Sequence, residues 1–528
     1  MRFCFTVALS FLIVGSCFSQ INYDLIFTES TALTQVPAIH SGAYTTWQGK
    51  YVFIGGRSNG LHGFQPPFAF PNSGKNEQVY VVDPEVNQMW SASVSGLPVS
   101  IYESVTSSNM QFYREDSILW MVGGYGWCDS AQDFKTFPTL TAVNLNTLVP
   151  SVMQGLNVAP SFHQVTDYRM AVCGGHLEKL DTLYQLVFGH RFDGRYARHD
   201  SMGFFDQQYT NEVRRFRLSE QAGSITIGQY SAIYDSLLFH RRDYNLIPQF
   251  DAFGRKSLTA FSGVFQYDQN LPFTTLIDIY DTLYYEKAGF EQQLAHYHSA
   301  VCALYDTTWL TQFNLFFGGM SMYYYDSAGV FHTDPKVPFV KTVSVVARDM
   351  DANYHELRMP SELPGYLGTN AYFLPAPQVP LFRESILHFN LIPDNGLLGY
   401  LIGGIESPEP NISDTDPSMS FASPKVWEVR LDRTPTSLPE RLNPEYQSVQ
   451  QLRAVPNPSR GKVMMVFVSD RIRDMDLLVY NADGRLLERF SVSTAKGSNR
   501  FELDLAHLPT GVYFLSAGRK AVRWVKTS

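Results

Sequence analysis

Residues 51–56 read YVFIGG, and close copies of this hexapeptide return along the chain. They are LWMVGG ending at Gly123-Gly124, MAVCGG at Gly174-Gly175, NLFFGG at Gly318-Gly319 and GYLIGG at Gly403-Gly404. A degenerate copy, SLTAFSG, ends at Ser262-Gly263 in the widest gap. Each reads as a buried strand ending where the backbone turns sharply or approaches a neighbour closely, which glycine does without steric penalty. A unit too small to bury its own apolar face, repeated in this way, is the signature of a radial or stacked array. Successive copies lie 68, 51, 88, 56 and 85 residues apart, so several units carry long insertions.

Composition agrees with a β-rich fold. Among 528 residues, charged side chains make up 17% and aromatics 14%, a balance that favours half-buried strands over helices. The net charge of −9 argues against an extended nucleic-acid surface. That charge is unevenly spread: from Ala454 onward the chain carries a net +5, against −14 for the rest. Two physically different pieces share one chain.

The N-terminus, MRFCFTVALSFLIVGSCFSQ, has an early Arg2, an apolar stretch from Phe3 to Val14 and small or polar residues after it. It reads as a secretory signal over residues 1–19, cut between Ser19 and Gln20, too short to count as a spanning helix. Val14-Gly15-Ser16-Cys17 also resembles a lipoprotein cleavage box, an alternative in which Cys17 is lipidated. Removing the signal leaves Cys128, Cys173 and Cys302, an odd count that gives no disulfide framework. Cys173 and Cys302 lie in apolar runs and read as small buried hydrophobes; Cys128 is expected to be the accessible one.

From Gln20 to Arg433 the pattern is strand, turn, strand, without a helical period. Small polar pairs precede several copies: His40-Ser41, Ser107-Ser108, Phe162-His163, Arg242-Asp243 and His298-Ser299. After the diglycine comes a variable loop and then a strand such as VYVVDPEVNQMW, residues 79–90. This order resembles the kelch repeat, each copy of which forms one four-stranded propeller blade. Only the first unit matches the motif nearly in full. The resemblance implies an all-β fold: a six-bladed kelch-like β-propeller over residues 20–433, closed by the strand near Tyr23–Phe27, with no exposed sheet edge left at the closure.

Residues 434–453 are polar, contain three prolines and lack periodicity, and read as a linker. Residues 454–528 alternate strands and turns, predicting a small C-terminal β-sandwich with a hairpin at Asp483-Gly484. This segment resembles the C-terminal sorting domain of the type IX secretion system. The residues that carry the resemblance are Pro456, Asn457, Pro458, Gly461, Tyr480 through Gly484, Leu508 through Tyr513 with Gly511 among them, and a basic end at Lys526. The resemblance implies recognition by the outer-membrane translocon, removal by a sortase-like protease, and release or attachment at the cell surface.

The candidate ligand site gathers polar residues beside the diglycines: Arg57, Asn59 and His62, Tyr125, His176, and Glu406, joined by Arg242 from the strand ahead of the fourth copy. Radial repetition carries equivalent positions to one mouth of a central channel, where such groups suit a glycan or protein partner. Arg241 and Asp243 share a strand face and read as a structural pair. His190, Arg191, Arg195, Arg198 and His199 read as a solvated loop or lid, and Asp116, Asp181, Asp235 and Asp281 as turn residues in Asp-Ser/Thr-aliphatic triplets. His296 and His298 alternate as two metal ligands would, but no third ligand completes a set, so neither a metal nor a cofactor is expected. Kelch propellers include sugar mutarotases and radical-copper oxidases, and a carbohydrate-active enzyme is the alternative reading. Truncation after Arg433 is expected to leave a folded, soluble product that stays inside the cell; an unfolded product, or surface delivery of the truncated chain, contradicts the division.

Overall fold

The computed structural model describes residues 22–528 apart from 67, 198–204, 252, 268–270, 327–328, 413–416, 436–439, 442–448, 470–471, 482–485 and 518–519. The signal segment, Arg198, His199 and Gly484 therefore lie outside the described residues. The chain divides into two compact units, residues 1–441 and 442–528.

Among the described residues the first unit is a ring of six blades, five of them four-stranded antiparallel sheets and the fifth in order a four-stranded antiparallel core within a seven-stranded sheet. Their inner strands are Ala43–Trp47, Gln111–Glu115, His176–Leu180, Asn245–Phe250, Ala300–Asp306 and Tyr372–Pro375. All six line one central cavity of about 790 Å³. Blade six is completed by the first strand of the chain, Asp24–Glu29, which pairs antiparallel with Val426–Asp432 in register Asp24↔Asp432 to Glu29↔Trp427. Apolar clusters fill the wedges between blades: Val52, Ile54 and Val81 of blade one meet Leu119, Met121 and Val143 of blade two in one of them. Burying such side chains, at about 1.5–3 kcal/mol each, is what the alternating apolar strands supply.

The diglycines sit where each second strand ends against the next blade. Gly55, Gly123, Gly318 and Gly403 hold φ between 57° and 68°. A Cβ at Gly123 would fall on the Val172 carbonyl oxygen, and one at Gly403 on that of Ile39. The following glycine then donates its N–H to the neighbouring blade: Gly56 to Ser107 at 2.8 Å, Gly124 to Val172 at 2.9 Å, Gly319 to Leu367 at 3.4 Å and Gly404 to Ile39 at 3.0 Å. In blade four Ser262 takes the first position with φ 55°, and its hydroxyl donates to Ala295 O at 2.8 Å.

Blade three departs from the sequence expectation. Gly174-Gly175 does not end a second strand; it leads into the inner strand that starts at His176. Phe188-Gly189 occupies the diglycine position, with φ 48° and 82°, and the Gly189 N–H donates to Arg241 O at 2.9 Å. Phe188 tolerates the strained φ because its ring is buried and stacks on Phe239 at 4.7 Å. Similarly, Phe162-His163 lies in the fourth strand of blade two and not ahead of an inner strand. The cluster around His190 and Arg191, expected as a solvated loop or lid, instead starts on a strand, His190–Gly194, which pairs with Phe205–Tyr209 and stacks Phe192 on Phe205 at 4.6 Å. Cys128 is buried, with its Sγ 3.2 Å from Ser130 Oγ, because Tyr125–Cys128 also forms a short hairpin.

Two additions extend blade five. Ile386–His388 lies parallel to its inner strand, and Glu440–Arg441 pairs with its outer strand. The excursion carrying Ile386–His388 also contributes Pro377, Leu381 and Glu384 to the cavity wall, and Glu384 pairs with Lys256 of blade four at 2.7 Å.

The second unit is a sandwich of a three-stranded and a four-stranded sheet around Val463, Phe467, Leu477, Leu515 and Trp524. Its first strand, Val449–Val455, begins within the segment read as linker. Asn457 bridges to the last strand, donating to Arg523 O at 2.6 Å and accepting from the Val525 N–H at 3.0 Å. At Gly461 a Cβ would collide with Ala506, and the Tyr513 hydroxyl donates to Pro509 O at 2.7 Å. Lys526 pairs with Gly511, so the chain end is built into the sheet.

Gly123→Ala adds a Cβ against backbone at positive φ. It is expected to lower the unfolding free energy by about 2–4 kcal/mol, read as a lower urea midpoint. Gly96→Ala, where a Cβ meets nothing within 4 Å, is expected to change it by less than about 0.5 kcal/mol.

Candidate functional site

One residue in each blade, two positions ahead of its inner strand, adopts a left-handed backbone. The six are Ser41, Asn109, Gly174, Asp243, His298 and Asn370, with φ from 52° to 65°. All of them line the channel. Their backbones are chained: Asn109 N–H donates to Ser41 O at 2.9 Å, Gly174 to Asn109 at 3.1 Å, Asp243 to Gly174 at 2.8 Å, His298 to Asp243 at 3.2 Å and Asn370 to His298 at 2.6 Å. The residue just before each of these bridges to the turn after its own blade's second strand. The pairs are His40 with Arg57, Ser108 with Tyr125, Cys173 with His190, Arg242 with Val264, Tyr297 with Met320 and Thr369 with Ile405. Two tiers of backbone thus frame one mouth of the channel, and the residues that follow the second strands stand around it.

On the side of blades three to five, Asp243 holds the centre. Its carboxylate is 3.3 Å from Arg242 Nε and 3.1 Å from His298 Nε2. Burial acts to raise the Asp243 carboxyl, but His298 and Arg242 hold it well below the usual carboxylate range. Arg242 Nε is buried and makes no hydrogen bond among the described residues. Its guanidinium lies 5.8 Å from the Tyr209 ring and 5.5 Å from Phe265. Burial acts to lower the Arg242 pKa, and Tyr209 and Asp243 together raise it, so the group keeps its charge. Burial moves His190 down to about 3, with Arg242 adding to the effect.

The neighbouring Arg241 has a different fate. It is fully buried, donates to Leu238 O, Ser262 O and both oxygens of Thr275, and stacks over Phe273 at 3.9 Å. Its donors are spent on blade four's own backbone. Arg241 is structural by itself, and the expected Arg241–Asp243 pair is replaced by Arg242–Asp243.

On the side of blades one and two, Arg57 donates to Asn59 Oδ1 at 3.0 Å and to Pro71 O at 2.5 Å, and faces the Phe70 ring at 5.5 Å. Burial lowers its pKa to about 10. His62 stacks on Phe70 at 4.0 Å, and burial lowers it to about 4, with Arg57 and Arg242 both opposing its protonation. Tyr125 donates to Gly194 O at 2.6 Å, which ties blade two to the hairpin of blade three. His176 lines the channel and shares a ring-nitrogen contact of 2.9 Å with Tyr244 O.

The sequence-derived residues are therefore not all in one cluster. Arg57, Asn59, His62, Tyr125 and Arg242 lie at or just after the bridging positions, with Arg57 and Arg242 near enough to His62 to oppose its protonation, while His176 lines the channel at the start of its inner strand. Glu406 follows blade six's second strand but turns to Ser423 Oγ at 2.8 Å and Lys425 Nζ at 3.1 Å, within its own blade. Asp243, His298 and His190 are the functional groups that the sequence reading did not place here. The signal for the first two was available, because both stand two residues before an apolar inner strand. His296, fully buried with Nδ1 2.6 Å from Gly318 O, does not share a site with His298.

Residues 454–527 match the family described as the secretion system C-terminal sorting domain. The chain accordingly carries the tail that directs proteins through the type IX secretion system to the cell surface or the extracellular space. A search of curated proteins finds no match. Among solved structures, one titled "Structure of YjhT" is similar at 12% identity and TM-score 0.41, over 76% of this chain and 98% of its own.

The lowered imidazoles carry a pH dependence. His62 and His190 have folded pKa values of about 4 and 3, against 6.5 when unfolded. Between those limits the unfolded chain binds more protons, so the stability these groups contribute is complete above about pH 6.5 and falls as the pH drops. The gap in thermal midpoint between pH 7 and pH 5 is expected to be smaller in the double variant His62→Gln/His190→Gln than in the wild type. An unchanged gap contradicts their burial as neutral rings.

Proposed function

We propose that the propeller is an exported binding module that takes an acidic glycan at the channel mouth. The observation that carries this reading is Arg242: a guanidinium held charged beside Asp243, faced by the rings of Tyr209 and Phe265, whose buried Nε lies 3.3 Å from Asp243 Oδ2 but makes no hydrogen bond among the described residues. A ligand carboxylate offers an acceptor, and charge-assisted hydrogen bonds of this kind are the strong ones. Arg57 adds a second cation to the same rim of a chain that is acidic overall. Aromatic faces and buried neutral imidazoles supply the flat contacts and directional hydrogen bonds that a sugar needs. The sorting tail serves delivery, and in this reading a sortase-like protease removes it after translocation.

The test is calorimetric titration of the purified full-length chain with galacturonate, and with galactose as the neutral control. Galacturonate is expected to bind and galactose to bind at least tenfold more weakly, from about 1.5–3 kcal/mol for the charged hydrogen bond. Arg242→Lys keeps the charge but loses the planar fork, and is expected to weaken galacturonate binding severalfold with an almost unchanged thermal midpoint. Equal binding of the two sugars, or of wild type and Arg242→Lys, overturns the proposal.

A further inference from the structure

A second concavity of about 230 Å³ lies beside the mouth, lined by Phe70, Pro71, Asn72, Trp127, Phe134 and Arg195. It is smaller than the roughly 300–1,000 Å³ of sites for drug-sized ligands, which limits it to about one ring. Its walls are aromatic and fixed. The Trp127 indole N–H donates to Asp129 Oδ1 at 2.8 Å, and the Trp127 and Phe134 rings pack edge to face at 5.4 Å. Phe134 stacks in turn on Tyr125 at 5.5 Å. Neither ring needs to reorganise to receive a flat partner, so little ordering cost attends binding.

Phe70 is the wall shared with the mouth. One of its contacts is the stacked His62, another is Tyr125 at 5.2 Å, and the Arg57 guanidinium lies 5.5 Å from its centre. Arg57 also anchors the adjoining Pro71 carbonyl, so the partition is tied to the mouth by a charged hydrogen bond. The Arg195 guanidinium lies 5.6 Å from the Trp127 ring and 5.5 Å from Phe134, and forms no ion pair with a carboxylate among the described residues. A cation already over these rings disfavours a cationic guest and favours an anionic one.

We infer that this concavity is a second subsite, which stacks one pyranose ring of an acidic oligosaccharide on Trp127, with Phe134 as the wall at its edge, and pairs that ring's carboxylate with Arg195. The inference rests on the reading of the mouth as an acidic-glycan site, and names its ligand as a chain of uronate residues longer than one. Phe70 separates two successive sugar positions, the first at Arg242 and a later one at Arg195.

The experiment compares galacturonate, α-1,4-linked trigalacturonate and neutral galactotriose by calorimetric titration of the full-length chain. Trigalacturonate is expected to bind at least tenfold more tightly than the monomer, and galactotriose to show no such gain. Trp127→Ala and Arg195→Gln are each expected to return the trimer to monomer-like affinity while leaving monomer affinity unchanged. Arg195 is a half-buried side chain with no hydrogen bond to any other group among the described residues, so its variant reports even if Trp127→Ala unfolds. A trimer no tighter than the monomer, an equal gain for galactotriose, or a gain that survives Arg195→Gln overturns the inference. Monomer binding that persists through those failures leaves the mouth reading standing, whereas absence of both monomer and trimer binding removes the two together.

Discussion

Six left-handed residues, hydrogen-bonded backbone to backbone from Ser41 through Asn370, are the constraint around which the propeller is arranged. Each places its blade's inner strand at a fixed distance from the axis, because the preceding residue bridges to that blade's second-strand turn. Each second-strand turn then reaches the next blade through a glycine N–H or, in blade four, the Ser262 hydroxyl. Position in the ring is therefore set by backbone polar groups, and the apolar wedges fill the space that this frame defines. The frame also explains why charged groups gather at this mouth. Asp243 and His298 are themselves ring members, and Arg242 and His190 occupy bridging positions, so their side chains meet without any need for adjacency in sequence.

The recurring diglycine was legible because its cause is local: a strand ending at positive φ against a neighbour's carbonyl leaves no room for a side chain. The same reasoning misread blade three. Gly174 satisfies one local demand, a left-handed residue ahead of an inner strand, and Phe188 satisfies the other by burying its ring well enough to offset the strain. The ring itself was hidden, since Ser, Asn, Gly, Asp, His and Asn share a backbone angle and no side-chain chemistry. At the site, Arg57, His62 and Tyr125 could be found by counting from a diglycine. Glu406 follows the same count, but its carboxylate is taken up by Lys425, nineteen residues on, and no local pattern announces that. Arg241 and Arg242 are adjacent and chemically identical. Only the positions of Thr275 and Asp243 decide that one is spent on the fold and the other left with capacity to bind.

The C-terminal unit uses its small motifs differently. Asn457 is bound to both sides of the last strand and Gly461 allows close approach of Ala506, so the motif residues join the sandwich's beginning to its end. The positive charge of this unit, set against the acidic remainder, keeps the two surfaces chemically distinct.

The closing strand Asp24–Glu29 has a consequence for when this molecule can exist as a folded object. Ser30 donates to Glu428 across 398 residues of chain, and the strand pairing beside it spans the same interval. Contacts so distant in sequence form late, after the loop they close has been gathered by others. The ring is in this sense a belt whose buckle is made from its two ends. Until Val426–Asp432 is available the first strand lacks its pairing partner among the described residues, and the ring stays open. Once fastened, the belt has no terminal blade: each of the six packs against a neighbour on both sides, so no blade face is left to solvent as it is at the ends of an open array.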